Sequence, residues 1–134
     1  MLNVLPSDLD NIPLLMREVG SATRQLIMEI LHELKITAGP VMEFGNTEAI
    51  KQAVIHGGGV AWLPSVSISN ELHSGALVQL ASDQLMIRRP LSVIRRSSSP
   101  DSPADEAFIK MLMQHDRMSS YLRVVAREAN TSVA

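Results

Sequence analysis

The chain has 134 residues, a formal net charge of −2 and no cysteine. Apolar residues make up 46 % and charged residues 19 %, the balance of one folded domain with a real core, not of a disordered or fibrous chain. These figures exclude disulfides, thiolate metal sites and a cysteine nucleophile. They also argue against nucleic-acid binding by this chain alone, which normally needs a basic face.

Residues 1–11 form a lead-in with no basic n-region, so they are not read as a signal peptide, and Ser7 is placed to cap one turn through Leu9. Residues 12–17, IPLLMR, have the length and content of a strand, with Pro13 near its start, where a missing N–H is tolerated. Gly20 ends that run and Ser21 is a good N-cap. Leu26, Ile27, Ile30, Leu31 and Leu34 then repeat at helical spacing and predict an amphipathic helix over 22–34. Gly39-Pro40 breaks it and 41–44 is a short strand. A second helix starts at Gly45-Asn46-Thr47, with Ala49, Ile50, Ala53 and Val54 on one face, and stops at Gly57-Gly58-Gly59. Residues 60–63, VAWL, read as a buried strand, 65–72 as a short helix after Pro64, and 77–80 as another strand.

The last strand is expected within 86–95, centred on Leu91-Ser92-Val93-Ile94, and 97–102 is the clearest linker. Ser102-Pro103 opens a long helix whose apolar face runs through Phe108, Met111 and Leu112. That face is expected to extend toward Met118, Leu122 and Val125 across a possible interruption at 114–118, and 126 onward reads as a frayed tail. Aromatics are only 3 %, so Leu, Ile, Val, Met and Ala must build the core, and the eight Met are read as core filler. No apolar run is long enough to span a membrane, and the chain is expected to be cytoplasmic. Alternating strands and helices predict an α/β fold with a mainly parallel sheet covered on both faces.

In such sheets ligands bind where strands turn into helices. Two turns qualify. The first, Gly20-Ser21-Ala22-Thr23 with Arg24 behind it, offers free helix N–H groups and hydroxyls to a carboxylate or a polar ligand edge. The second, Gly45-Asn46-Thr47, repeats the pattern. Each can equally be an ordinary capped helix start, the first with an exposed Arg24, the second with a Glu48/Lys51 pair; two on one side of one sheet favour a cleft. The triple glycine is not a phosphate loop, because neither GxxxxGK[ST] nor GxGxxG is present. Trp62 is expected in the core, with one end free to face a cleft. Arg88-Arg89 and Arg95-Arg96 flank an apolar run and read as solvated strand ends. His32, His56, His73 and His115 are isolated, so no metal site is expected. Ser65, Ser67 and Ser69 lack GxSxG, no base stands beside a nucleophile, and neither catalysis nor a cofactor is expected.

The order of these segments resembles a known family. VGSATRQLIMEIL followed by MEFGNTEAIKQAVIHGGGVAWLP is similar to the second half of LysR-type regulator sensing domains. NELHSGALVQL, RRPLSVIRR and SPADEAFIKML continue the likeness in order. The resemblance implies a three-layer α/β sandwich, one lobe of a type 2 periplasmic-binding-protein-like fold, in a non-enzymatic effector-sensing module. Residues 1–11 would be a lead-in or hinge segment, 12–96 the second effector-binding lobe, 97–102 a hinge linker, and 103–134 a C-terminal helix and tail. Ser21, Ala22, Thr23, Gly45, Asn46 and Thr47 would line the effector cleft, with Leu63 and Pro64 close behind. The implied partners are a small-molecule effector such as a carboxylate or sugar, further copies in a homo-oligomer, and DNA only through an N-terminal winged helix-turn-helix that this chain lacks; no membrane is involved. The first lobe is also missing, so the helix from Pro103 is expected to self-associate or fold back onto its own sheet. The competing readings are a solute-binding protein lobe, a small α/β enzyme with an anion cradle at Ser21 and Thr23, and a remnant that only dimerises with intact relatives.

Overall fold

Strand β2 (Leu14–Arg17) is the centre of the molecule because both of its faces are apolar. Successive strand side chains point to opposite faces. Leu14 and Met16 therefore enter one core with Trp62, Ile27 and Leu31, while Leu15 enters a second with Leu63, Ile50 and Val54. The computed structural model describes residues 1–89, 94, 102–114 and 120–126. Along this stretch β1 (Leu2–Asn3), β2, α1 (Ala22–Glu33), β3 (Val41–Phe44), α2 (Thr47–Ile55), β4 (Ala61–Pro64), α3 (Ser69–Ser74), β5 (Val78–Ala81), β6 (Ile87–Arg89), α4 (Pro103–Gln114) and β7 (Ser120–Ala126) follow one another, with short 3-10 turns at Pro6–Leu9, Ser65–Ser67 and Asp83–Leu85.

Strands β2 and β3 are parallel, in register from Leu14 opposite Val41 to Arg17 opposite Phe44. On its other side β2 meets the start of β4 through a parallel bridge from Leu14 to Val60, with Leu15 N donating to Val60 O at 2.9 Å and Val60 N to Pro13 O at 3.0 Å. The chain therefore steps outward from β2 to β3 and then back across β2 to β4. Crossovers between parallel strands are right-handed, so reversing the direction of travel puts α1 and α2 on opposite faces. The two cores agree: Ile27 and Leu31 of α1 pack in one, Ile50 and Val54 of α2 in the other. The carboxyl ends of β2, β3 and β4 thus lie side by side at a topological switch point.

Around this parallel centre the rest of the sheet is mixed. Strand β7 runs antiparallel to β4, with Trp62 opposite Val124, and antiparallel to β5 and β6 on its other side. Strand β1 closes the far edge, parallel to β5. This corrects the expectation for Leu122 and Val125: they belong to β7, not to an extension of the C-terminal helix. Val125 is fully buried among Leu63, Ile68 and Leu77, and that burial outweighs its fit to a helical apolar stripe. Ser102 starts α4 as expected: its Oγ accepts from Asp105 N at 3.2 Å, and Asp105 Oδ2 accepts from Ser102 N at 2.9 Å. No residue of α4 is buried, and Phe108 is 54 % and Met113 79 % exposed, so the described part of the helix is not folded down onto the sheet core. The expected strand at 91–93, most of the linker at 97–101, and the tail after 126 lie outside the described residues.

Lys51 ties α2 to α3. Its ammonium meets Glu48 and Glu71, each at 2.8 Å, and donates to Ser67 O at 3.4 Å. The ammonium holds the Glu71 carboxyl below the usual carboxylate range, and the two carboxylates raise Lys51 in turn. A carboxyl depressed in the folded state stabilises it above the unfolded pKa, and that contribution is lost as pH falls through the folded value. Glu71→Gln is therefore expected to lower the urea midpoint at pH 7, with the difference closing as pH falls through the depressed folded-state pKa of Glu71. A gap that stays constant with pH would mean that Glu71 acts through packing alone.

The triple glycine is fixed by geometry. Gly59 has φ +141°, and a Cβ there would overlap the Pro13 carbonyl oxygen on the neighbouring strand. Gly45 has nothing within 4 Å of where its Cβ would be. Gly59→Ala is expected to cost about 3 kcal/mol or more, Gly45→Ala no more than about 0.5 kcal/mol. Similar costs in chemical denaturation would contradict this account of the turn.

Candidate functional site

The switch point holds a cavity of about 250 Å³. Its floor is apolar: Leu15, Met16, Ile27, Ile50, Trp62 and Leu63. Its polar groups come from the strand ends and helix starts: Arg17 ends β2, Thr23 lies in the first turn of α1, Thr47 begins α2, and Arg89 ends β6. Pro64 ends β4 and completes the wall. Among the described residues no Asp or Glu lines the cavity.

Four of the eight residues expected at the site, Thr23, Thr47, Leu63 and Pro64, line this cavity. Ser21, Ala22, Gly45 and Asn46 sit in the same two turns but are not part of the lining. Their local roles differ. Asn46 Oδ1 accepts from Ala49 N at 2.8 Å and caps α2. Ser21 occupies the N-cap position of α1 with extended backbone, but its side chain makes no cap hydrogen bond. Arg24 points away from a ligand role: its Nη1 donates to Arg17 O at 3.0 Å and to Glu43 Oε2 at 2.7 Å, bracing α1 against β2 and β3.

The arginines at the cavity were not legible as a pair. Arg17 directs its Nε and Nη2 to the two Glu18 carboxylate oxygens, each at 2.7 Å. This fork raises the Arg17 pKa and holds the Glu18 carboxyl below the usual range, so both stay charged at neutral pH. Arg89 corrects the expectation of a solvated strand end. It is half-buried and turned inward, and its Nη1 donates to Thr23 Oγ1 at 3.1 Å across 66 positions of sequence. Its Nε is buried and, among the described residues, has no hydrogen-bond partner. Among the described residues no carboxylate forms an ion pair with it. Arg88, the preceding residue, is exposed. Strand alternation would have turned one of the two arginines inward, but only once the register of β6 was known.

Trp62 is 3 % exposed and its Nε1 donates to Leu85 O at 2.8 Å, so its polar end is satisfied inside the core while the residue also borders the cavity. Among the described residues no group of His, Asp and Glu is placed to hold a metal ion, and no helix is long and apolar enough to cross a membrane. A buried donor without a partner costs roughly 1–3 kcal/mol. Arg89→Met removes that donor and keeps most of the volume, so it is expected to leave the unfolding midpoint unchanged or raise it. A loss of more than about 2 kcal/mol in chemical denaturation would instead give Arg89 a structural role.

The comparisons with known proteins agree on one family. The description "LysR substrate binding domain" fits residues 3–117. The chain is 33 % identical over 114 residues to the HTH-type transcriptional activator CmpR of Synechocystis, and 35 % identical over 105 residues to the HTH-type transcriptional regulator CbbR of Rhodospirillum rubrum. These alignments cover 85 % and 78 % of this chain but 38 % and 35 % of the relatives, so it spans well under half of their length. Among solved structures, the regulatory domain of HypT from Salmonella typhimurium superposes with a TM-score of 0.56 over 94 % of this chain and 46 % of that one, at 19 % identity. The likeness to HypT is one of fold.

Proposed function

The chain belongs to the LysR substrate-binding domain family, with its periplasmic-binding-protein-like α/β fold, and from that premise we propose that it is the second lobe of the effector-sensing module of a LysR-type transcriptional regulator. The observation that carries the proposal is convergence. Thr23, Thr47, Leu63 and Pro64 come from three separate strand ends and helix starts, yet they border one cavity. In this reading Ser21, Ala22, Gly45 and Asn46 form the rim of the same site. A pocket of about 250 Å³ suits a small molecule, or one end of a larger one closed in by a facing lobe.

The proposed site binds and does not catalyse, in keeping with relatives that are transcriptional regulators. The regulator works as a homo-oligomer in the cytoplasm, and its DNA contacts belong to a winged helix-turn-helix outside this chain. The exposed apolar side of α4, with Phe108 and Met111, packs on the first lobe or on another copy. Residues 12–96 then form the lobe, 97–102 the hinge, and 103–134 the returning helix and its tail.

The test is a thermal-shift screen of this chain against small carboxylates and sugars, followed by effector response in the full-length regulator. A ligand that binds only the folded state raises its melting temperature. Thr47→Val is expected to weaken the selected ligand about tenfold, the loss of one hydrogen bond to a charged group. Ser21→Ala should change affinity by less than about threefold, because its hydroxyl caps nothing and lies off the lining. Unchanged response in Thr47→Val would remove the cavity from the effector site.

A further inference from the structure

The cavity walls are chemically one-sided. Among the described residues they carry two guanidinium groups and two hydroxyls, with no carboxylate. Arg17 already has a counter-charge in Glu18, and Arg24, just behind, has Glu43. Arg89 differs from both. Among the described residues it has no ion pair, its Nη1 is held by Thr23 Oγ1 at 3.1 Å, and its Nε–H is buried with no acceptor. Buried donors are nearly always paired, and an exception calls for an explanation. A guanidinium presents its N–H groups as a planar fork that matches the oxygens of a carboxylate or a phosphate. Thr23 fixes the orientation of this fork from one side. The apolar floor beside it lowers the local dielectric, which strengthens charge pairing. The starts of α1 and α2, at Thr23 and Thr47, face the same space with their partial positive ends.

We propose that the group received in this cavity is an oxyanion, the carboxylate or phosphate of a small metabolite, and that Arg89 is its specificity-determining contact through the free Nε–H. The proposal rests on the reading of the cavity as the effector site and narrows it: a neutral sugar lacks the charge that Arg89 needs. Thr23 positions the guanidinium, and Thr47, which borders the same cavity, is a second donor.

The experiment is an NMR titration of the full 134-residue chain, following backbone amides and arginine Nε–H signals. The probes are acetate, inorganic phosphate and neutral glycerol, at constant ionic strength made up with chloride. Acetate or phosphate is expected to shift the Arg89 Nε–H and the Thr23 and Thr47 amides saturably, in the millimolar range fitting an unenclosed half-site. Glycerol should leave them in place. Acetate binding better than phosphate points to a carboxylate ligand and the reverse order to a phosphate ester; either supports the oxyanion. Arg89→Gln should weaken the anion at least about tenfold, and Arg89→Lys, which keeps the charge but loses Nε–H, should fall between Gln and wild type. Wild-type binding in Arg89→Lys would overturn the Nε–H contact. If glycerol shifts the same amides as strongly as the anions, and Arg89→Gln binds as wild type does, the oxyanion proposal fails while the cavity stays a ligand site. If no probe moves any cavity signal although the spectrum is well dispersed, the oxyanion proposal falls, and the thermal-shift screen decides the effector reading separately.

Discussion

Burial of β2 and β4 on both faces is the constraint on which the rest of the structure depends. Leu14, Leu15 and Met16 on one strand, and Ala61, Trp62 and Leu63 on the other, are all at or below 3 % exposure. A strand with no solvent face needs cover above and below. The chain supplies it by stepping out to β3 over one face and back to β4 over the other. The reversal that completes the cover also brings the ends of three parallel strands and the starts of two helices to one place. The cavity is thus a consequence of how the core is closed, not an added feature.

The polar groups at that place depend on the same scaffold. Thr23 and Thr47 need only be early residues of their helices, because the crossover geometry aims both helix starts at the switch point. Asn46 fixes where α2 begins, and Arg24 fixes α1 by bracing it to the Arg17 carbonyl and to Glu43. Arg89 is delivered from a different part of the sheet by β6, which pairs with β7 through Ile87 and Leu122. Its unpartnered Nε–H is a local cost of roughly 1–3 kcal/mol. Burying one Leu-sized side chain offsets about that much, so a domain with two full core layers tolerates such a group at the proposed binding site. In the proposed reading, stability and function pull in opposite directions at this residue.

Much of the fold was legible in the residues. The apolar spacing of Leu26, Ile27, Ile30 and Leu31 predicts α1, and the apolar runs around Leu14 and Trp62 predict strands, the second of them buried. Glycines at 57 and 59 mark the sharp return into β4. These signals are local: period, composition and turn chemistry act within a few residues and leave their mark there. Leu122 and Val125 misled for the same reason. Their spacing continues a helical stripe, and only their place beside β4 in the sheet makes them strand. Likewise β7 makes the sheet mixed, an outcome that the alternation of earlier elements does not foretell.

The sequence by itself determined the element types through α2 and β4, the α/β class, the family resemblance and the two turns nearest the site. Each follows from short-range preferences or from an ordered string of motifs. Only the tertiary structure decided which turn residues border the cavity, that Arg24 is a brace, and that Arg89 reaches Thr23 from 66 positions away. Such pairings depend on strand register and on which face a side chain takes. A shift of one residue reverses that face, and no local pattern around Arg88 and Arg89 records which of the two turns inward.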